Sequence, residues 1–279
     1  MFLLFVLRFR AMVAYQASAC FGTLRSLMGI TTATVEPGIV TVTVDYPKVN
    51  AIPSRGWFEL ADAILAAGND PSTHVVILRA EGRGFNAGAD IKEMQATDGF
   101  TALIDTNRGC FEAFSAVYRC KVPVVAAVNG FCLGGGIGLV GNADVIVAAD
   151  DAVFSVPEVD RGALGTATHL QRLVPQHVMR RMFYTAAKID AKTLHHYGSI
   201  HEVVPRAELD EAALRVARDI AAKDTRVIRA AKEAINFIDP QDVESSYRME
   251  QGFTFELNLA GVADEHRDAF VETGKPKGN

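Results

Sequence analysis

A cluster of glycines in the middle of the chain offers the first chemistry to consider. Gly134, Gly135 and Gly136 follow a continuous apolar run, Val122–Gly130, and precede a short apolar stretch. This order is typical of a buried strand that delivers the start of a helix. Glycines let the backbone approach a ligand closely, and the first N–H groups of a helix lack helical partners and lie at the positive end of its dipole. Such a turn can hold a phosphate or the oxygen of a polarised carbonyl.

Nucleotide binding is one interpretation, because Gly136, Gly138 and Gly141 satisfy the G-x-G-x-x-G fingerprint. That fingerprint requires a full crossover helix before the next strand and an acid about 20 residues further on. Here the next apolar strand, Asp144–Ala148, begins only a few residues after Gly141. A helix of about two turns is too short for a β-α-β unit. We therefore reject a dinucleotide site.

A second strand–glycine–helix junction favours the carbonyl interpretation. Residues 86–91, like residues 133–138, run from a predicted strand through a glycine into a predicted helix. A single turn of this kind is more often only a tight loop, but two turns can each contribute one backbone N–H to an oxyanion hole. An acid, Glu158, follows the second turn, just past Pro157. The pattern predicts a site that polarises a carbonyl and moves a proton.

The elements that would position these residues alternate between strands and helices. Gly38–Asp45 alternates apolar and polar residues, as a half-buried strand does. Asn50 would cap the next helix, whose apolar face includes Trp57 and Ile64. Other strands are predicted at Val75–Ala80, Asp144–Ala148, 152–158 and 201–205, and other helices from Ile91 and at 101–118, 167–184, 191–197, 208–222, 224–237, 240–260 and 262–271. This order indicates an α/β fold with a C-terminal helical region.

Composition and cysteine usage limit the class of protein. The 279 residues, 49% of them hydrophobic, suffice for one or two domains with a substantial core. The net charge of −5, without a basic cluster rich in aromatics, argues against a nucleic-acid partner. The four cysteines lack C-x-x-C spacing. We therefore expect no metal site, and reduced thiols in a cytoplasmic protein.

Residues 1–30 are predicted to be an N-terminal extension that is not native or is disordered. An apolar run at residues 2–7 precedes Arg8 and Arg10, which reverses the charge order of a signal peptide, and it is too short to span a membrane. We expect no membrane partner and a natural start at Met28; an ordered amphipathic helix is the alternative. The rest would divide into a core, 31–207, and a helical region, 208–279.

Three stretches resemble the crotonase (enoyl-CoA hydratase/isomerase) superfamily. They are Gly84-Phe-Asn-Ala-Gly-Ala-Asp-Ile-Lys-Glu93, Pro123-Val-Val-Ala-Ala-Val-Asn-Gly-Phe-Cys-Leu-Gly-Gly-Gly136 and Phe154-Ser-Val-Pro-Glu-Val-Asp-Arg-Gly162. The resemblance covers about residues 32–275 and implies a crotonase (ClpP-like) spiral of ββα units. The motifs are highly specific for the superfamily and weakly specific for the reaction.

The resemblance also implies roles for individual residues. The oxyanion donors would be the N–H groups of Ala89 and Gly135, and Glu158 would be the acid–base residue. A thioester carbonyl between two such donors gains most when its oxygen becomes an enolate, and losing one donor typically costs ~3–4 kcal/mol. Coenzyme A would enter as part of the substrate and not as a cofactor. The residues expected to hold it are Ala87, Asp90, Ile91 and Lys92.

The chain departs from the hydratase pattern at Gly138. Hydratases carry two glutamates, and the ungapped register places the first on Gly138 and the second on Glu158. Water addition to an enoyl thioester uses one carboxylate as base and one as acid. Ordinary hydration is therefore disfavoured, and Gly138 would leave space beside the thioester for a bulky acyl group.

Further stretches resemble one branch of the superfamily, the hydrolases that open the last five-membered ring in bacterial sterol (cholesterol) catabolism. They are Asn50–Pro53, Gly130–Asn142, Arg161–Gly165 and Tyr247–Asn258. This resemblance implies a bicyclic acyl-CoA whose ring ketone is a vinylogous β-keto thioester. Hydroxide generated by Glu158 would attack the ketone. The C–C bond would then break, with its electrons moving onto the thioester oxygen, in a retro-Claisen hydrolysis.

Several nearby residues have alternative interpretations. His169 would line the acyl pocket and orient a water or protonate the product, or would be a helix-start histidine bonded to backbone. Cys132 would line the pocket as a small apolar residue and not as a nucleophile. Arg161 would hold the active-site loop by an ion pair or lie at the surface. Lys275 and Lys277 would reach coenzyme A phosphates across a subunit boundary.

Two other functions and an oligomeric state are also predicted. A single-glutamate enoyl-CoA isomerase, or a hydratase of fatty-acid β-oxidation, is the enzymatic alternative. A non-catalytic protein that binds CoA or RNA is the alternative from another class, disfavoured by the intact Glu158 and the acidic charge balance. By resemblance the C-terminal aromatics pack in a homotrimer, or in a hexamer that is a dimer of trimers. These aromatics are Phe237, Tyr247, Phe253, Phe255 and Phe270.

Overall fold

The computed structural model describes residues 29–97 and 99–277 and contains a large and a small β-sheet. The strands are β1 Gly29–Glu36, β2 Ile39–Asp45, β3 Val75–Ala80, β4 Val124–Val128, β5 Phe131–Leu133, β6 Val145–Ala149, β7 Val153–Ser155, β8 Ile189–Asp190 and β9 Glu202–Val204. The large sheet has the order β1-β2-β3-β4-β6-β9, antiparallel between β1 and β2 and parallel elsewhere. In the small sheet β7 lies between β5 and β8.

The helices surround these sheets and dominate the C-terminal part. They are α1 Ser54–Asn69, α2 Ile91–Ala96, α3 Thr101–Arg119, α4 Gly135–Val140, α5 Ala167–Leu170, α6 Gln176–Thr185, α7 Ala191–His196, α8 Leu209–Ala221, α9 Thr225–Ile238, α10 Val243–Leu259 and α11 Val262–Thr273. Short 3-10 helices lie at Pro157–Arg161 and Arg206–Glu208.

The chain repeats a unit of two extended segments followed by a helix. β4 lies in the large sheet, β5 in the small one, and α4 follows; β6, β7 and the helix at Pro157–Arg161 repeat the path. In the earlier units the second extended segment is reduced to a single β-bridge. Ile52 forms a parallel bridge with Ala89, and Asn86 forms one with Cys132. The predicted spiral of ββα units is confirmed.

The large sheet is covered on both faces, as apolar parallel strands require. One face packs against α1 and α3, and Trp57 and Ile64 of α1 are fully buried there, as their helical spacing predicts. The other face packs against α8 through residues such as Leu209 and Ala213. The predicted strands Gly38–Asp45 and Val75–Ala80 therefore form the middle of the molecule.

Two local predictions are wrong. The helix predicted over 167–184 is divided between α5 and α6, because Pro175 lacks an N–H and occupies the N-cap position of α6. Asn50 does not cap α1. Pro53 holds that N-cap position, and the Ser54 N–H donates to a carboxylate oxygen of Glu93 at 2.6 Å.

The C-terminal helices pack against earlier parts of the chain. β1 begins at Gly29, so the last two residues of the predicted extension belong to the sheet. Residues 1–28, with Cys20, lie outside the described residues. Within the predicted helical region, α10 contacts α3 and α5, and α11 contacts α2 and the Pro157–Arg161 turn. The C-terminal helices thus fold back onto the loop that carries Glu158.

Residues 29–97 and 99–277 lack both a membrane-spanning helix and a metal-binding cluster. No helix in this part of the chain is long and apolar enough to cross a lipid bilayer. The same residues contain no group of three or more His, Cys, Asp or Glu arranged to hold a metal ion.

Candidate active site

The two glycine turns singled out in the sequence lie against each other. Leu133 N–H donates to Asn86 O at 2.8 Å, and Asn86 N–H donates to Phe131 O at 3.1 Å. A Cβ built on Gly88 would lie 3.5 Å from the amide nitrogen of Gly135. The segments that carry residues 89 and 135 therefore meet in one small region.

Ala89 and Gly135 each present an unused backbone amide. Ile52 N–H donates to Gly88 O, and Asp90 N–H donates to Ile52 O, both at 3.0 Å. This bridge uses the groups on either side of Ala89 and leaves its own N–H unused. Gly135 is the first residue of α4, where an N–H has no helical acceptor. Across the described residues neither amide donates a hydrogen bond, and both residues are partly accessible.

Two buried asparagines hold the first turn in shape. Asn86 accepts from Gly88 N–H at 2.8 Å and donates to Asn50 O at 2.6 Å. Asn50 donates to Glu81 O at 2.7 Å and to Gly84 O at 2.8 Å, and accepts from Tyr46 N–H at 2.7 Å. Sequence reasoning missed the role of Asn86 and misassigned that of Asn50, because each also bonds a residue more than 30 positions away.

A buried tryptophan supports the second turn. A Cβ built on Gly135 would lie 2.7 Å from Cη2 of Trp57, which is fully buried. A side chain at position 135 would therefore overlap the indole ring. The glycine is required here by close packing, as well as by the access that it gives to its own amide.

Glu158 reaches the same region from the Pro157–Arg161 turn. A Cβ built on Gly134 would lie 2.6 Å from Glu158 Oε1, so the carboxyl group packs directly against the glycine turn. The residue as a whole is half-buried, but its Oε2 is shielded from solvent and has no hydrogen-bond partner among the described residues.

The environment of Glu158 makes it a proton acceptor near neutral pH. Burial raises the pKa of the Glu158 carboxyl to about 8; the charge of Glu250 adds to the rise, and the charge of Arg161 opposes it. A group whose pKa lies near the working pH can both take up and release a proton, as acid–base catalysis requires. The structure thus places one tuned carboxyl beside the two unused amides.

Other ionisable side chains surround Glu158, and sequence reasoning did not assign them to the site. Glu250 of α10 accepts from the N–H groups of Ala167 and Thr168 at 2.8 and 3.2 Å, and burial raises its pKa. Burial, reinforced by the charge of Glu158, raises the pKa values of Tyr247 and Cys110. The three-residue spacing of Tyr247 and Glu250 on one helix was the available signal.

The loop that carries Glu158 is fastened to the C-terminal helices. The Arg161 guanidinium lies 3.5 Å from the centroid of the Phe270 ring of α11, a cation–π contact in place of the predicted ion pair. Leu164 N–H donates to Thr254 Oγ1 at 3.0 Å, and that hydroxyl donates to Leu164 O at 2.5 Å. These contacts tie the loop to α10 and α11.

The structure corrects the predicted roles of Gly138 and Cys132. The atoms of the Phe114 ring lie 2.3–2.6 Å from a Cβ built on Gly138, so the ring fills the space expected for the acyl group. Cys132 is fully buried, and its Sγ lies 3.0 Å from a Cβ built on Gly136. Both residues belong to the packing beneath the turn and do not line an open pocket.

His169 is buried among aromatic rings. It lies next to Phe114 and Tyr247, with ring centroids 5.1 and 4.9 Å away. Its Nδ1 lies 3.1 Å from Nδ2 of Asn142, which donates to it, so neither the predicted backbone bond nor a water-facing position is found. Burial, and then the charge of Arg172, lower the pKa of His169 to about 3. The neutral ring does not supply protons near neutral pH.

The residues predicted to hold coenzyme A follow the first glycine turn. Asp90 is the N-cap of α2, and its carboxylate accepts from Lys92 N–H at 2.9 Å. Ala87 and Ile91 are half-buried, and Lys92 is exposed. The structure therefore puts these residues beside Ala89 on an accessible edge.

A separate open groove of about 290 Å³ lies between α5, α6 and α10. Leu164, Glu250 and Phe253 are among the residues that line it, but Ala89 and Gly135 are not. The groove therefore adjoins the Glu158 loop and not the pair of amides.

Comparison with known proteins agrees with this arrangement. The enoyl-CoA hydratase/isomerase family model matches residues 34–278. The chain is 78% identical over 245 residues to the (7aS)-7a-methyl-1,5-dioxo-2,3,5,6,7,7a-hexahydro-1H-indene-carboxyl-CoA hydrolase of Mycobacterium tuberculosis, covering 88% of this chain and 99% of that protein. It is 75% identical over 250 residues to the hydrolase of the same name from Rhodococcus jostii, covering 90% and 97%.

A solved structure supports the same assignment. The crystal structure of an enoyl-CoA hydratase/isomerase from Xanthobacter autotrophicus Py2 matches with a TM-score of 0.78 at 28% identity, over 87% of this chain and 91% of that one. The fold predicted from the motifs is confirmed, and the chain belongs to the enoyl-CoA hydratase/isomerase family of the crotonase superfamily.

Proposed function

We propose that this chain is a hydrolase that opens a ring of a bicyclic, steroid-derived acyl-CoA by cleaving a C–C bond. The observation that carries the proposal is the single tuned carboxyl of Glu158, packed against Gly134 beside the unused amides of Ala89 and Gly135. The names of the relatives from Mycobacterium tuberculosis and Rhodococcus jostii supply the substrate class.

The two amides would stabilise the charge that develops on the thioester oxygen. An enolate oxygen held by two preorganised N–H donors is favoured over the neutral carbonyl, and one such donor is typically worth ~3–4 kcal/mol in the transition state. Asn86 and Trp57 support the proposal, because they fix the two turns before substrate arrives. The donors therefore need little rearrangement during the reaction.

Glu158 would act as the base and then as the acid. In the first step it takes a proton from water while the water oxygen bonds to the ring ketone carbon. The adjacent C–C bond then breaks, and its electron pair moves through the conjugated alkene onto the thioester oxygen between Ala89 and Gly135. The proton held by Glu158 returns to the resulting carbanionic carbon. Water is consumed and no electron is gained or lost, so the reaction needs no redox cofactor.

Coenzyme A is proposed to bind along the edge formed by Ala87, Asp90, Ile91 and Lys92. Partial burial at Ala87 and Ile91 offers apolar contact, and the exposed Lys92 ammonium offers a charge for a phosphate. The position of these residues directly beside Ala89 supports the proposal, because the thioester must reach the amides while the nucleotide remains outside.

The same carboxyl and amides would also serve a single-glutamate enoyl-CoA isomerase, so the decisive experiment separates the two reactions. The protein is incubated in ¹⁸O-labelled water with the bicyclic indene-carboxyl-CoA, a 3-enoyl-CoA and crotonyl-CoA, and the products are analysed by mass spectrometry. We expect ¹⁸O in a newly formed carboxylate of the bicyclic substrate. If no product carries ¹⁸O, and one substrate undergoes a double-bond shift without a change in mass, the protein is instead an isomerase.

A homotrimer or a dimer of trimers in the bacterial cytoplasm is also proposed. Several large apolar side chains on α9 and α10 are exposed in the single chain: Phe237 at 90%, Ile238 at 75%, Leu259 at 74% and Met249 at 71%. Contact with further copies would cover them. The free thiols of Cys110, Cys120 and Cys132 support a reducing compartment.

A further inference from the structure

Thr166 has a conformation and a surrounding that no part of the mechanism above explains. Its φ of +69° lies in the left-handed region, which a β-branched residue rarely adopts. The residue is 2% exposed, yet its hydroxyl has no hydrogen-bond partner among the described residues. A buried hydroxyl without a partner destabilises the folded state. Strain and an unpaired polar group at one residue indicate a functional position.

The unpaired hydroxyl lies beside the unpaired oxygen of the catalytic carboxyl. A Cβ built on Gly165, the preceding residue, would lie 4.0 Å from Glu158 Cγ. The Thr166 hydroxyl lies close enough to the Glu158 carboxyl to lower its pKa as a hydrogen-bonding neighbour, yet neither Thr166 Oγ1 nor Glu158 Oε2 has a partner in good hydrogen-bond geometry among the described residues. Both Thr166 Oγ1 and Glu158 Oε2 therefore need a third partner.

The backbone around Thr166 is held firmly in place. Glu250 binds the N–H groups of Ala167 and Thr168, the two residues that follow. Thr166 O accepts from His169 N–H at 3.1 Å and from Leu170 N–H at 2.8 Å. The backbone at and after Thr166 is thus held by hydrogen bonds that leave its hydroxyl unused.

We propose that Thr166 positions the hydrolytic water, which donates one hydrogen to Glu158 Oε2 and the other to Thr166 Oγ1. A water molecule suits a site that offers two such acceptors. With both hydrogens engaged, a lone pair on the water oxygen is free to form the bond to the ring ketone carbon. The hydrogen shared with Glu158 is transferred to it, whereas the one shared with Thr166 stays on the new carboxyl group. This inference rests on the proposed hydrolysis.

The test compares two reactions that need the same site but differ in their need for attacking water. Hydrolysis of the bicyclic acyl-CoA requires the positioned water. Exchange of deuterium from D₂O into the isolated ring-opened product requires only Glu158 and the two amides. The variants are Thr166→Val and Thr166→Gly, which remove the hydroxyl, and Thr166→Ser, which keeps it. Thr166→Gly also relieves the left-handed strain and so protects against a failure to fold.

We expect kcat for hydrolysis to fall at least tenfold in Thr166→Val and Thr166→Gly, with deuterium exchange within twofold of the wild type. Thr166→Ser should keep at least a third of the hydrolytic rate. The matched control is Ala186→Gly, which changes another residue of positive φ (+50°) and should alter neither rate.

Three results would overturn the inference. Wild-type hydrolysis in both variants without the hydroxyl would remove the role of Thr166, and an equal loss of both reactions would make that role structural. If the wild type exchanges deuterium but does not hydrolyse the substrate, the proposed function fails, and the water-positioning role fails with it. The wild-type measurement thus distinguishes the two failures.

Discussion

Replacing Glu158 by Gln should abolish hydrolysis and at the same time stabilise the protein in alkaline solution. The substitution keeps the size of the side chain but removes the proton acceptor and the buried charge. Burial favours the neutral carboxyl in the folded protein, whose pKa is raised from 4.5 to about 8. The unfolded chain has no such preference. Folding therefore becomes less favourable as the pH rises from the ordinary pKa of the carboxyl to its folded pKa, and the full loss remains above that.

The size and sign of this effect follow from proton linkage. Between about pH 4.5 and 8 the folded state binds more protons at Glu158 than the unfolded state does, so stability falls as pH rises. At ~1.36 kcal/mol per pKa unit the full difference is worth roughly 5 kcal/mol. Glu158 is half-buried, and solvent screens part of that charge. We expect Glu158→Gln to gain about 3 kcal/mol relative to wild type on going from about pH 5 to pH 9.

Urea unfolding at fixed protein concentration, followed by circular dichroism at about pH 5, 7 and 9, measures this gain. Hydrolysis is followed in parallel by mass spectrometry. Substrate binding is measured by calorimetry, and we expect Glu158→Gln to retain it. Asp160→Asn is the matched control, since it removes a carboxylate from the same turn. Parallel stability curves for Glu158→Gln and wild type would refute the buried-charge reasoning, and unchanged turnover would refute the catalytic role.

Three further predictions concern the pH profile, the packing and the first glycine turn. The kcat/KM for hydrolysis should rise about tenfold from pH 7 to pH 9 as Glu158 ionises, and Glu250→Gln should shift the profile to lower pH because a like charge is removed; a flat profile would contradict this. Gly138→Ala should destabilise the protein by ~1–3 kcal/mol through overlap with the Phe114 ring, whereas Gly252→Ala, with open space around it in α10, should be neutral or stabilising in the same urea assay. Asn86→Ala should lower kcat at least tenfold while the Glu158-dependent pH profile keeps its shape, because the hydrogen bonds of Asn86 go to Asn50 and Gly88 of the amide turn; a changed profile would indicate a different role.

The features that could be predicted from the sequence are those specified by nearby residues. Apolar runs mark β2, β3 and β4, and glycines at a strand end mark the turns at residues 88 and 135. Glu158 was singled out because it follows Pro157 in a separate matching stretch, Phe154–Gly162. In each case the physical cause, a buried strand or a backbone that needs a small residue, lies within a few positions of the residue concerned.

The rest of the site depends on contacts between distant parts of the chain. Glu250 reaches Ala167 across 83 positions, and Thr254 reaches Leu164 across 90. Local periodicity shows that α10 is a helix but does not show which residues its inner face meets. Gly138 illustrates the same limit, since the missing side chain indicated free space, whereas Phe114 from another helix occupies it.

The fastening of the Glu158 loop also bears on how the protein is made. Leu164 depends on Thr254, and Arg161 rests on Phe270, so the loop acquires its partners only after nearly the whole chain has left the ribosome. The strands and the paired glycine turns come earlier and can form first. A polypeptide that stopped before α10 would lack Thr254 and Phe270, the residues that hold the loop of Glu158. The loop of Glu158 therefore acquires its full support only once α10 and α11 have been synthesised.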